Sequence, residues 1–282
     1  MSALLHEMLQ SHYPLVKEQL VQKVLEVVKA EKIFLSGASL WHRRTESIFT
    51  PEQPTAHWMA DFCILVLVNE TSKPLHDIQD HVEQHCSPSF PVMSIVVLSS
   101  IFNEWLVQGH RFACTIYNST VMIYAADETP LLLPGKLKDE KKEPEKLYNE
   151  TVIRVNEFLA GADLFCLRNQ YKMAAFMLHQ SAEQCLRTLL KLATGYHCNT
   201  HNIERLVKYL RMLYPCIHDI FPQQTPKEKH FFHVLQKAYI DSRYKDDYTI
   251  HQSDLLFLRE RVEKLKELLH YVGKSLLKDG GA

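Results

Sequence analysis

Pro134-Gly135-Lys136-Leu137-Lys138-Asp139-Glu140-Lys141-Lys142-Glu143-Pro144-Glu145-Lys146 divides the 282-residue chain into halves with different apolar periods. Nine of the eleven residues from 136 to 146 are charged. So little here can be buried that the stretch reads as a linker over 134–146, between one domain at 1–133 and another at 147–282. Pro144 also suits the first turn of the following helix, and the two readings are compatible.

Working back from the linker, residues 14 to 31 show a helical stripe of Leu20, Val24, Val27 and Val28. Short apolar runs follow: Ile33-Phe34-Leu35, Phe62 to Val68, Met93 to Leu98, then Phe112 to Tyr117 and Thr120 to Tyr124. Each reads as a strand. The run Phe62 to Val68 is unbroken rather than alternating, which predicts a strand covered on both faces. Leu75 to Gln84 and Ile101 to Gln108 fit short helices between strands, so the first half is a small α/β domain.

Working forward, the period becomes helical and stays so. Val152, Val155, Leu159, Ala162 and Cys166 form one stripe, and Ala175, Leu178, Ala182, Leu186, Leu189 and Ala193 a second. Thr225-Pro226-Lys227-Glu228 is a capping box with proline at the first helical position, predicting a helix that carries Phe231, Leu235 and Ala238 inward. Ser253 is the expected cap of a last helix, where Leu255, Leu258, Val262, Leu265, Leu269 and Val272 keep three-four spacing. That seam suits packing within a bundle or against a second copy. The fold class is therefore α+β in two domains, with an all-α second half.

Charge and hydropathy narrow the function classes. With 32 basic and 33 acidic side chains the net charge is -1, which provides no global field for nucleic acid and leaves room only for a local basic patch. The longest apolar run, Phe62 to Val68, is far short of the roughly 20 residues of a spanning helix, so no membrane association is expected. Met1 to Glu7 lacks the basic flank and apolar core of a secretion signal, and a cytoplasmic location is the expectation. Seven cysteines form no CxxC pair, which argues for reduced thiols.

The residues Lys172 to Gln184 with their His179-Gln180-Ser181-Ala182-Glu183 core, then Thr200-His201-Asn202-Ile203-Glu204-Arg205-Leu206, then Ala238-Tyr239-Ile240-Asp241-Ser242-Arg243-Tyr244 with Tyr248 beyond, resemble the HEPN helical domain. The resemblance covers roughly 146 to 275. It implies a helical bundle that pairs as a homodimer, and often a partner domain of the minimal nucleotidyltransferase type. The first half is similar to a degenerate copy of that type. Ile33-Phe34-Leu35-Ser36-Gly37-Ala38-Ser39 is similar to its strand and Gly-Ser turn, and Ala60 to Val66 to its carboxylate-bearing strand.

Nucleotidyl transfer needs two carboxylates one residue apart on a strand and a third on a neighbour, to hold two divalent metals about a phosphate. Asp61 stands alone: Cys63 follows two residues later, and Met93 to Leu98 contains no acid. Mg²⁺ is therefore expected only if transferase activity survives. Gly37 reads as a tight turn and Asp61 as a strand end. A helix opening near Ser39 would still present backbone N–H groups to a phosphate, helped by His42, Arg43 and Arg44. The resemblance also raises RNA cleavage, which takes an arginine and a histidine four to six residues apart. Arg211 and His218, with six residues between them, match formally, but Pro215 interrupts them, and Arg243 and His251 have seven residues between them.

In the second half His179, Glu183 and Arg187 recur every four residues as a polar stripe. They suit an anion or metal site, or a hydrogen-bonded seam. His197, Cys198 and His201 are metal-capable but lack a fourth ligand at zinc spacing, so no metal is expected there, and His201 reads as a structural residue near a helix start. Arg243 with Tyr244 and Tyr248 is the most suggestive set, because guanidinium clamps phosphate and an adjacent aromatic stacks on a base. The other reading pairs Arg243 with Asp246, Asp247 or Glu183 as a helix fastener. The candidate site is therefore Arg243, Tyr244, Tyr248, His179 and Glu183. Gly37, Ser39, Arg43 and Asp61 are weaker candidates, and the expected ligand is a nucleotide such as ATP or GTP.

Overall fold

The computed structural model describes residues 14–45, 55–137 and 142–279. The chain divides into two units, Met1–Lys138 and Asp139–Ala282.

In the first unit α1 (Pro14–Val27) leads into β1 (Ala30–Thr45), which pairs antiparallel with β2 (Thr55–Val68). Then α2 (Leu75–Cys86) crosses to β3 (Val92–Leu98), parallel to β2, and α3 (Ser99–Val107), α4 (Arg111–Ser119) and β4 (Val121–Ala125) follow. The sheet order is β3-β2-β1-β4, with β4 antiparallel to β1. Leu20 and Val24 of α1 and Ile78 and Val82 of α2 pack with Ile64, Val66 and Val68 of β2. Leu65 and Leu67 of the same strand are equally buried, and α3 packs against β2 and β3. Both faces of β2 are covered, as its unbroken apolar run requires.

Four local expectations are corrected. Phe112 to Tyr117 lies in the helix α4 rather than in a strand. Phe112, Ala113 and Ile116 are buried together at helical spacing, and a short apolar run does not by itself distinguish the two states. Gly37 makes no tight turn: it lies within β1, at the register shift between Leu35 and Gly37, opposite Cys63. Ser39 faces Asp61 and Arg43 faces His57 along the same pair of strands, so no helix opens at Ser39 and Asp61 lies inside β2, not at its end. The long antiparallel partner holds this segment extended, because its backbone groups are satisfied across the ladder. Pro51 and Pro54 lie outside the described residues.

Residues 131–137 are tied to α3. Gly135 N–H donates to Leu106 O at 2.9 Å, and Leu132 N–H to Asn103 Oδ1 at 3.0 Å. Gly109, at φ +67, makes the turn after α3 that leaves room for Lys136. The Pro134-Gly135 end of the charged stretch thus packs on the first unit, while Lys142 to Lys146 are already helical.

The second unit comprises α5 (Lys142–Leu167), α6 (Tyr171–Thr194), α7 (Ile203–Leu213), the short α8 (Ile217–Ile220), α9 (Pro226–Tyr244) and α10 (Gln252–Asp279). The central helix is α6, which packs against α5, α7, α9 and α10. Its stripe Ala175, Leu178, Ala182, Leu186 and Leu189 is wholly buried, and Gly195 at φ 79 ends it in the left-handed region. Thr225 and Glu228 complete the capping box of α9. Ser253 does not cap α10. That helix opens at Gln252, and Asp254 Oδ2 accepts the His251 N–H at 3.4 Å. The seam Leu255, Leu258, Val262, Leu265, Leu269 and Val272 is buried inside this unit, so it is not left open for a second copy.

Candidate functional site

The helical period of α6 places His179, Glu183 and Arg187 one turn apart on the side facing α7 and α9. Glu183 is 1% exposed. A carboxylate so buried needs charged or hydrogen-bonding partners, and three converge on it. His201, just before α7, directs Nδ1 at both oxygens, 3.0 Å and 3.1 Å away. Arg187 Nη1 donates to Oε1 at 3.2 Å. His179 Nε2 stands 3.6 Å from Oε2, too long for a hydrogen bond, and this buried nitrogen has no hydrogen-bond partner. Burial alone would raise the Glu183 carboxyl. The neighbouring His179, His201 and Arg187 outweigh it and hold the pKa below the usual carboxylate range.

The surrounding groups fix tautomers. His179, fully buried, donates from Nδ1 to the Leu235 carbonyl at 2.9 Å. Arg187 Nη2 lies 3.2 Å from His197 Nε2, which must therefore accept, and 3.4 Å from Asn199 Oδ1. Burial first, then the charges of Arg187 and Lys191, lower the His197 pKa in keeping with that acceptor role.

Tyr239 of α9 joins this cluster to Arg243. His201 stacks on its ring at 4.3 Å and 14°, and His179 lies 5.3 Å from it. One turn on, the Arg243 Cζ is 4.7 Å from the Tyr239 ring, 5.1 Å from Phe176 and 5.0 Å from Tyr244. Its Nε donates to Tyr239 O at 2.8 Å. The exposed guanidinium makes no ion pair with Asp246, Asp247 or Glu183, and Arg187 occupies the place beside Glu183.

Among the sequence candidates, His179 and Glu183 share one cluster, and Arg243 and Tyr244 share the aromatic shelf next to it. Tyr248 is elsewhere: it is buried, with its hydroxyl donating to Val234 O at 3.1 Å, and burial pushes its pKa up. It lines a separate cleft of about 250 Å³ with His233, Lys237, Asp241 and Lys245. Tyr239 and Phe176 were not singled out from sequence. The four-residue step from Tyr239 to Arg243 was the available signal. Arg211 donates Nη2 to Phe221 O at 3.4 Å, and His218 Nε2 lies 3.4 Å from Gln224 Nε2, so each faces a different partner. The described residues contain no group of three or more metal-capable side chains and no helix apolar and long enough to cross a membrane.

Comparison with known proteins agrees with the helical half. Residues 148–274, within the second unit, match the HEPN domain. A nucleotidyltransferase-like protein from Exiguobacterium sibiricum, known from its crystal structure, aligns over 96% of this chain and 78% of its own, at 13% identity and a TM-score of 0.31. No curated protein matches the chain.

Proposed function

We propose that the protein binds a phosphate-bearing ligand, a nucleotide such as ATP or GTP, on the shelf of Phe176, Tyr239, Arg243 and Tyr244, and that it works as a self-associating module. The observation that carries this reading is the exposed Arg243 guanidinium. It rests over three rings, and only its Nε is spent on its own helix. The remaining N–H groups suit bidentate phosphate recognition, and the exposed Tyr244 offers a face to a base. The first unit, in this reading, is a degenerate nucleotidyltransferase-like domain, with Asp61 the one remnant of its carboxylate set.

Calorimetric titration with ATP and GTP tests it. Arg243→Ala is expected to weaken binding by about 1.5–3 kcal/mol, as for a charged hydrogen bond. Folding should be nearly unaffected, since exposed cation–π contacts contribute about 0.5–1 kcal/mol. Absence of binding by the wild type would sink the reading. Covalent label from a labelled triphosphate with Mg²⁺ would replace it with transferase activity.

Self-association through the helical unit is supported by α5, where Ile153, Ala160, Leu164 and Leu167 form one exposed stripe. Sedimentation of the 32.9 kDa chain should show a dimer, and Leu164→Glu should dissociate it. A wild-type monomer at micromolar concentration would count against it.

A further inference from the structure

We propose that His201 is a phosphoryl acceptor, a nucleophilic imidazole held ready by Glu183. A carboxylate only accepts hydrogen bonds, so the ring nitrogen facing it, Nδ1, carries the proton, and Nε2 of the neutral ring keeps its lone pair. The His201 side chain is 54% exposed, while Glu183 beneath it is almost wholly buried. Nδ1 is turned inward, and Nε2 lies on the opposite side of the ring. The Tyr239 stack at 4.3 Å holds the imidazole plane in place.

The two neighbouring histidines are excluded by the same geometry. Both nitrogens of His179 face acceptors inside the core, and it has no access to solvent. The Nε2 lone pair of His197 is directed at Arg187. Of the three imidazoles in this cluster, only His201 combines a carboxylate-bound Nδ1 with an outward basic nitrogen.

The step balances without a metal or redox partner. The Nε2 lone pair attacks the phosphorus of an activated phosphoryl donor, and the bond from phosphorus to the leaving group breaks, the leaving group departing with its electron pair. The ring keeps its Nδ1 proton and becomes positively charged. The Glu183 oxygens at 3.0 Å and 3.1 Å then face that charge and stabilise the phosphorylated ring. This is a stoichiometric modification and does not require the nucleotide reading above.

Phosphoramidate, a small donor with no base or ribose, tests it on the full-length protein, with site mapping by mass spectrometry and phosphorus NMR. His201 is expected to be modified at least tenfold faster than the exposed His197, His218 and His230. Glu183→Gln is expected to slow His201 about tenfold or more, since the neutral amide no longer offsets the positive charge the ring gains. Equal rates at His201 and the other exposed histidines of the wild type would overturn the proposal. That comparison stands alone should Glu183→Gln fail to fold. A failed ATP titration combined with rapid labelling of His201 would sink the nucleotide site and leave the acceptor in place.

Discussion

The ring of Tyr148 fills the space over Gly273, so that a Cβ at position 273 would overlap its Cδ2 and Cε2 atoms. The ring has little room to yield. It is 8% exposed, and its hydroxyl is bonded to His270 Nδ1 at 2.7 Å, one turn earlier on α10.

Gly273→Ala therefore sets two effects against each other. Alanine gains roughly 1 kcal/mol of helix propensity over glycine. Forcing an atom into a filled core costs typically 1–3 kcal/mol, and here it would also displace the Tyr148–His270 bond. A net loss of about 1–2 kcal/mol is expected, read as a lowered urea midpoint with an unchanged slope. A stabilised variant would show that α5 and α10 separate easily at this point.

Glu183 is expected to govern acid stability. Its folded pKa lies below the unfolded value near 4.3, so its contribution is fully present above about pH 4.3 and is lost as the pH falls through the folded pKa. Glu183→Ala should cost about 3–5 kcal/mol at pH 7, because it strands Arg187 and His179 beside a cavity. The gap between wild type and variant should shrink at pH 3. A gap independent of pH would mean that Glu183 contributes only packing.

Two side chains of α2 reach the edge of β3 at Ser94. Glu83 Oε1 accepts the Ser94 N–H at 3.0 Å, and Gln79 Nε2 donates to Ser94 O. Together they imitate a neighbouring strand. Replacing both with alanine takes these partners away from a buried donor and acceptor, at about 1–3 kcal/mol each. It also bares an edge that pairs with other chains. Light scattering on warming should rise earlier in the double variant than in either single one.

Thiol reactivity should divide by burial. Burial pushes the Cys63, Cys86 and Cys198 thiols up to about 11, and raises Cys185 as well, whereas Cys216 is exposed. At pH 8 an aromatic disulfide reagent should react fastest at Cys216, a phase lost in Cys216→Ser, with the buried Cys86, Cys114, Cys185 and Cys198 released only by denaturant. Rapid reaction of Cys198 would show that the segment between α6 and α7 opens.

Much of the second unit is legible in the amino-acid sequence. The buried stripe of α6, the Thr225–Glu228 box and the α10 seam all follow from three-four spacing and local capping chemistry, which act within a few residues. The same periodicity put His179, Glu183 and Arg187 on one line. Long-range partners decided the rest. Phe112 to Ile116 became a helix that buries Phe112, Ala113 and Ile116 at helical spacing and packs against α3. Gly37 to Ser39 stayed extended because β2 pairs with it over its whole length. Arg243 lies over rings contributed by both α6 and α9, and His201 reaches a carboxylate 18 residues away. Such contacts depend on which helices meet, a consequence of how the bundle closes rather than of any local pattern, so Tyr239, which joins the two charged clusters, acquires its place only in the folded chain.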